Sequence, residues 1–538
     1  MPITPRPVVP AFSSPWGWTR RRLLPSLALT ALLLAPARGA HLVAAAPAAQ
    51  AANGLVVDTT AEAESLDPIY VEQASGYSII SSVFDNLVER NYDGKLEPVL
   101  AESWSFPNAN TVELKLRQGV TFHNGEPFNA QSVKFSVERL LDPNRKSQLA
   151  GGWPKTFTGV SVVDDYTVDL TFSEPDATVF DALAQSGAMV PPSYYAQNSD
   201  DFLAANPVGT GPYKFVEQVK DDHTTLTANT SYWGTGTYKG TPNVQTVTFR
   251  PVPEAATRVA DLLNGTADMI LDVAPDDLDT LRARSGDGFQ VVTASAAKLQ
   301  FVQFMPKKAT DPLADRRVRQ ALNYGVDVNS LVQNLYKGLG TRQASPILVG
   351  ALGYDPSVAP YDYNPTLAKQ LLADAGYPNG FAATIDLSSS DNPSLALAVI
   401  GQLKQIGVSL TPRTLELAQF NATWPQDKSG DLRLARWGGL QDPAVFLNFT
   451  TSCGAFLGDQ VVCDPGTTAQ IKQAATTLDQ DARAGLYAQI SRTLHDSPMA
   501  IYLADDVSIY GVGPRVSGWR GPTGRDYLIP TNITLSGS

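Results

Sequence analysis

Segment 101–143, AESWSFPNANTVELKLRQGVTFHNGEPFNAQSVKFSVERLLDP, constrains the fold of this chain more than any other stretch. Thr111-Val112-Glu113-Leu114-Lys115-Leu116 alternates apolar and polar residues, the period of a strand with one buried face. Val120-Thr121-Phe122-His123 reads as a second short strand, ended by the turn pair Asn124-Gly125. Asn129 stands where a helix N-cap belongs. Val133, Val137, Leu140 and Leu141 then fall on one helical face, and Asp142-Pro143 stops the run. The result is a strand–strand–turn–helix unit with no chemistry of its own.

Residues 1–51 read as an export signal peptide and not as part of the fold. They carry five arginines, three of them consecutive at Arg20, Arg21 and Arg22, and no Asp or Glu. The apolar run from Leu27 to Leu34 is of signal-peptide length and too short for a stable anchor. Ala49-Gln50-Ala51 fits an A-x-A cleavage site, and Thr19-Arg20-Arg21-Arg22-Leu23-Leu24 is similar to a twin-arginine export string, although an ordinary basic n-region gives the same letters. The leader has no Cys to carry a lipid. The expectation is an exported, periplasmic protein without a stable membrane anchor.

Without the leader, 487 residues remain, and the formal charge moves from −12 to −17 because five arginines leave with no acid. That acidity argues against nucleic acid and anionic lipid as partners. The length exceeds what one hydrophobic core usually supports, so at least two domains are expected. Strand and helix patterns alternate without a fixed period, which excludes a solenoid or propeller. Residues 54–60 read as the first strand and residues 82–90 as a helix. Asn364 with Pro365 opens a helix that Gly376 ends. The only cysteines, Cys453 and Cys463, form either a local disulfide or two buried thiols. A bridge closing so small a loop stabilises by at most about 3 kcal/mol.

Enzyme signatures are absent from the sequence. Three histidines remain after the leader, His123, His223 and His495, and none has HExxH or His-Cys spacing. There is no G-x-S-x-G, Walker A or G-x-G-x-x-G motif. Adjacent carboxylates such as Asp505-Asp506 read as a solvated loop, because neighbours on a strand would point to opposite faces and not form a pair. No metal site, no cofactor and no catalytic residue is expected.

The wording of segment 101–143 resembles the signature of the family 5 extracytoplasmic solute-binding proteins of ABC importers, the peptide/opine/nickel-binding group. Residues 208–215 (VGTGPYKF), 314–336 and 500–519 extend the resemblance over nearly all of the chain beyond the leader. It implies a two-lobed α/β fold of the type II periplasmic binding protein class, large cluster, with an extra subdomain in the first lobe. Lobe I would span 52–300 with that subdomain, lobe II 301–505, and 506–538 would return to lobe I. The implied protein is a monomer that captures a small-molecule or peptide-like solute and delivers it to ABC permease transmembrane subunits. A periplasmic chaperone or signalling receptor on the same lobes, or an exported hydrolase, are the alternatives. The family's dipeptide binders carry a cysteine pair in the corresponding place, which favours the bridge.

The resemblance also implies a cleft. The stretch 72–77 offers Gln73, Ser75 and Tyr77. The stretch 436–443, Arg436-Trp437-Gly438-Gly439-Leu440-Gln441-Asp442-Pro443, is similar to the family's W-x-x-D-x-x-D-P but is one residue shorter before Asp-Pro. Leu440 stands where peptide binders place the Asp that pairs with the ligand's ammonium; either Asp442 takes that role or the anchor is gone. Ser388-Ser389-Ser390-Asp391 stands where dipeptide binders place an Arg for the ligand carboxylate. Ser389, Asp391, Trp437 and Asp442, with Trp153 and Trp424 as further aromatics, complete the expected site. With both terminal anchors missing, an ordinary dipeptide is an unattractive ligand.

Overall fold

The computed structural model describes residues 53–71, 73–389, 392–423, 428–439, 441–454 and 461–537. The leader, Asp391, Trp424 and Leu440 therefore lie outside the described residues. Ten strands form one mixed sheet in the order Val408–Leu415, Phe381–Ser388, Leu432–Trp437, Gln290–Phe304, Ala500–Val512, Met269–Ile270, Gly54–Thr59, Thr246–Pro251, His223–Ala228 and Tyr213–Val219.

The two longest strands, Gln290–Phe304 and Ala500–Val512, lie at the centre and run antiparallel. Phe301, Val302, Phe304, Ile501, Tyr502 and Leu503 are all buried, as expected of strands covered on both faces. Midway the ladder is interrupted. Ser295 pairs with Val507 and Leu299 with Asp505, so three residues oppose one, and Ala297 adopts φ 47°. Beyond this bulge the strand Gln290–Phe304 also pairs with Leu432–Trp437.

Separate cores lie on the two sides of the bulge. On one side Leu55, Val57, Phe249, Tyr510, Leu528 and Ile533 pack together, joining residues from near both ends of the chain. On the other, Ile385, Val399, Leu403 and Leu432 form a core on one face of the sheet. Phe301, Ala435, Phe446 and Tyr487 belong to another. A further core belongs to a separate antiparallel sheet, ordered Ala101–Asn108, Thr111–Leu116, Thr167–Phe172, Phe157–Asp164, on which Val133 and Val137 of the helix Ala130–Leu141 pack. The molecule is a two-lobed α/β protein with an added subdomain.

Locally, Asn129 caps its helix through the amides of Gln131 and Ser132, and Asn364 caps Pro365–Asp374 through Leu367. Two local readings are corrected. Residues 82–90 are not a helix: the helix is Ala74–Val83, and Val88–Arg90 is a strand. Asp85 is fully buried and accepts hydrogen bonds from Thr210, Tyr232, Trp233 and Lys239. That distant set of donors fixes Asp85 just past the helix end, and no local pattern encodes it. The second strand of segment 101–143 is reduced to a single bridge between Thr121 and Pro127, because the His123 amide donates to Gly209 O (2.8 Å) instead of entering a ladder.

Candidate functional site

The bulge places Ala296 and Lys298 in the wall of a cavity of about 220 Å³. Tyr77, Arg90, Gln185, Gln441, Arg525, Asp526 and Tyr527 also line it. Tyr77 stacks on Tyr527, centroids 5.6 Å apart and planes inclined by 21°. Gln441 Nε2 donates to Gly524 O (2.6 Å), and Lys298 pairs with Asp526. Gly524 has φ +78°, and a Cβ there would lie 1.9 Å from Gln441 Nε2, so the close approach requires glycine.

A larger cleft of about 590 Å³ lies between segments 151–178 and 445–476. Trp153, Lys155 and Thr178 line it from one side, Asn448, Phe449 and Cys453 from the other. The two segments touch beside it: the Ala177 amide donates to Ala475 O (2.9 Å), and Lys472 lies 3.1 Å from Glu174. Trp153 Nε1 donates to Ser186 Oγ (3.0 Å), the residue after Gln185, which brings the two spaces near each other. Asp272, Gln300, Arg436, Asp505 and Asp506 line a third cavity of about 180 Å³; the adjacent Asp505 and Asp506 thus share one cavity from a strand and do not lie in a solvated loop, because the ladder is bulged there.

The expected site residues take different places. Tyr77 lines the central cavity and Trp153 the larger cleft. Trp153 is 5 % exposed and meets Phe157 edge-on (5.3 Å). Gln73 is exposed at the start of the helix Ala74–Val83, its amide donating to Glu64 Oε1 (2.8 Å). Ser75 is buried, with Oγ 3.1 Å from Thr60 Oγ1 and accepting from the Ala61 amide. Ser389 is exposed and donates through Oγ to Glu416 (3.1 Å). Trp437 ends its strand half-buried, edge-on to Phe446 (5.7 Å) and tilted against Phe449 (5.6 Å).

Asp442 is buried beneath the cavity wall. Its carboxylate lies 2.6 Å from Arg483 Nη2 and accepts from Tyr487 OH (3.2 Å) and the Ala444 amide (3.0 Å). Burial pushes its carboxyl above the usual carboxylate range, with the Arg483 charge offsetting part of the rise. Cys453 and Cys463 are disulfide-bonded. Among the described residues no group of three His, Cys, Asp or Glu could hold a metal, and no helix is long and apolar enough to cross a membrane.

Arg90, Gln185, Lys298, Gln441 and the run Arg525-Asp526-Tyr527 escaped the sequence reading. One signal existed. Lys298 is the one charged residue of the strand Gln290–Phe304. Arg90 and Arg525 are brought together only by tertiary folding, 435 positions apart.

Comparison with known proteins fixes the class. The family model for bacterial extracellular solute-binding proteins, family 5, matches residues 95–457. The chain is 30% identical over 526 residues to heme-binding protein A of Haemophilus influenzae, covering 90% of this chain and 93% of that protein. It is 30% identical over 498 residues to the glutathione-binding protein GsiB of Pectobacterium atrosepticum, with the same coverage. The solved Helicobacter pylori periplasmic binding protein DppA, in complex with the peptide STSA, superposes with TM-score 0.73 at 25% identity, covering 90% of this chain and 98% of that one. The chain belongs to the family 5 extracellular solute-binding proteins, and its fold is the type II periplasmic binding protein fold. It is thus the substrate-binding component of an ABC importer, a binding protein by family and fold.

Proposed function

We propose that this chain captures a polar, peptide-like solute in the cavity between its lobes and presents it, closed, to the transmembrane subunits of its permease. The observation that carries this reading is the cavity at the bulge, walled by both lobes and bordered by the Gln441–Gly524 contact between them. The relatives named for heme and for glutathione differ in ligand, so the wall of this chain's own cavity decides the solute. Tyr77 and Trp153 supply apolar and ring surface, and Gln185 and Gln441 supply neutral polar contacts. Trp437 supports the cleft through Phe449, which lines it. Gln73, Ser75, Ser389 and Asp442 act by holding the walls. The reading places lobe I at 52–300 and 506–538, lobe II at 301–505, and the hinge at the bulge. It takes the working protein to be a periplasmic monomer.

The test is thermal unfolding of the purified protein with short peptides, glutathione, opines, glycans and metal chelates. A true ligand at about 100-fold excess over Kd raises stability by about 2.7 kcal/mol. A melting transition unmoved by every class would overturn the reading.

A further inference from the structure

The central cavity has more cationic than anionic side chains in its wall. Arg90, Lys298 and Arg525 line it, against Asp526 alone. Lys298 is paired with Asp526, and Arg90 with Asp181 just outside the lining. Arg525 has no ion pair among the described residues. Arg525 is 8 % exposed, and its guanidinium donates to the Arg90 carbonyl and to Tyr238 OH (3.4 Å). It lies over the rings of Tyr527 (5.5 Å) and Tyr238 (5.7 Å). The nearby carboxylate, Glu89, is already engaged by Tyr238 OH and by Lys239 Nζ at 3.2 Å. Arg90 Nε is buried and without a hydrogen-bond partner.

A buried guanidinium held by neutral groups is poorly compensated, and a carboxylate is its natural fork-shaped complement. The remaining wall, Tyr77, Gln185 and Gln441, is neutral. We infer that the solute carries a carboxylate, or an acid group of the same shape and charge, and places it at the Arg525–Lys298 end of the cavity. The anion joins Arg525 and shares Lys298 with Asp526, while its neutral portion lies along Gln185 and Gln441. This inference rests on the capture reading above and narrows it from polar solutes to acids. It also replaces the missing Arg of the 388–391 stretch with cations from the other lobe and the hinge.

The experiment is titration calorimetry with probes matched except for one acid group. The pairs are glutathione and its glycyl monoethyl ester, Ser-Thr-Ser-Ala and its C-terminal amide, and gluconate and gluconamide. In at least one pair the acid is expected to bind at least about ten-fold more tightly than its neutral partner, as a charge-assisted contact requires. Raising the salt concentration is expected to narrow that gap. Lys298→Met is expected to shrink the preference, read as the ratio of the two Kd values, several-fold, and Arg525→Gln to abolish it. Lys298 is partly exposed, so its variant keeps the test valid if Arg525→Gln fails to fold. Equal binding of acid and neutral partners, or a preference indifferent to Lys298→Met, overturns the inference and leaves the capture reading standing. Absence of binding by every probe and by the wider panel overturns both.

Discussion

His123 shows how one side chain ties stability to pH. Its Nε2–H donates to Gly211 O (3.0 Å), which leaves Nδ1 buried and without a partner. Protonation would put charge on that bare nitrogen, so burial lowers the imidazole from 6.5 to about 4. The folded state thus binds the proton more weakly than the unfolded chain. The stabilisation is complete above pH 6.5 and is lost as pH falls from 6.5 towards 4, up to about 3 kcal/mol in all. Denaturant midpoints measured across that window are expected to flatten in His123→Gln; an unchanged slope would assign the acid sensitivity elsewhere. Asp442 gives the second test at this scale. If it serves Arg483, Asp442→Asn leaves a buried cation unpaired and costs the empty protein about 3 kcal/mol. If it serves the solute, the empty protein melts as before and only Kd changes.

Secondary-structure elements carry the cleft through their ends. The strand Leu432–Trp437 and the helix Ala444–Thr450 meet at Trp437, Phe446 and Phe449, and the disulfide ties 453 to 463 beside the larger cleft. Reduction is expected to lower stability by at most about 3 kcal/mol, because the closed loop is short; thermal melts with and without reductant read this directly. Gly524→Ala is expected to break the Gln441 contact and to cost about 1–2 kcal/mol for a side chain in the left-handed region. Its signature is weaker solute binding together with that loss; unaltered binding would remove the contact from the closing machinery. The helix Ala130–Leu141 was legible because cap and apolar face lie within one short stretch. The helix Ala74–Val83 was misplaced because its end is fixed by Asp85 and four donors far away in sequence.

At the scale of the whole molecule, the bulge in the central ladder separates cores that share the sheet. Ala297, at φ 47°, carries backbone strain there. Ala297→Gly is expected to leave stability unchanged or raise it slightly, because relief of strain and added unfolded-state freedom are each about 1 kcal/mol. In solution scattering, solute is expected to reduce the radius of gyration if the bulge is the hinge; identical profiles with and without solute would place the opening motion elsewhere. The two-lobed α/β class, the binding-protein family and the helix caps Asn129 and Asn364 were readable because each is written in short-range pattern or in the wording of a contiguous segment. The cavity wall was not. Arg90, Lys298, Gln441 and Arg525 come from four distant segments, and apart from Lys298, the one charged residue of its strand, each looks like an ordinary polar residue in its own neighbourhood. A local pattern reports which face of a strand or helix is buried. Which charges then confront one another across a cleft depends on strand order and loop closure over hundreds of residues, so only the tertiary structure decided what this scaffold can hold.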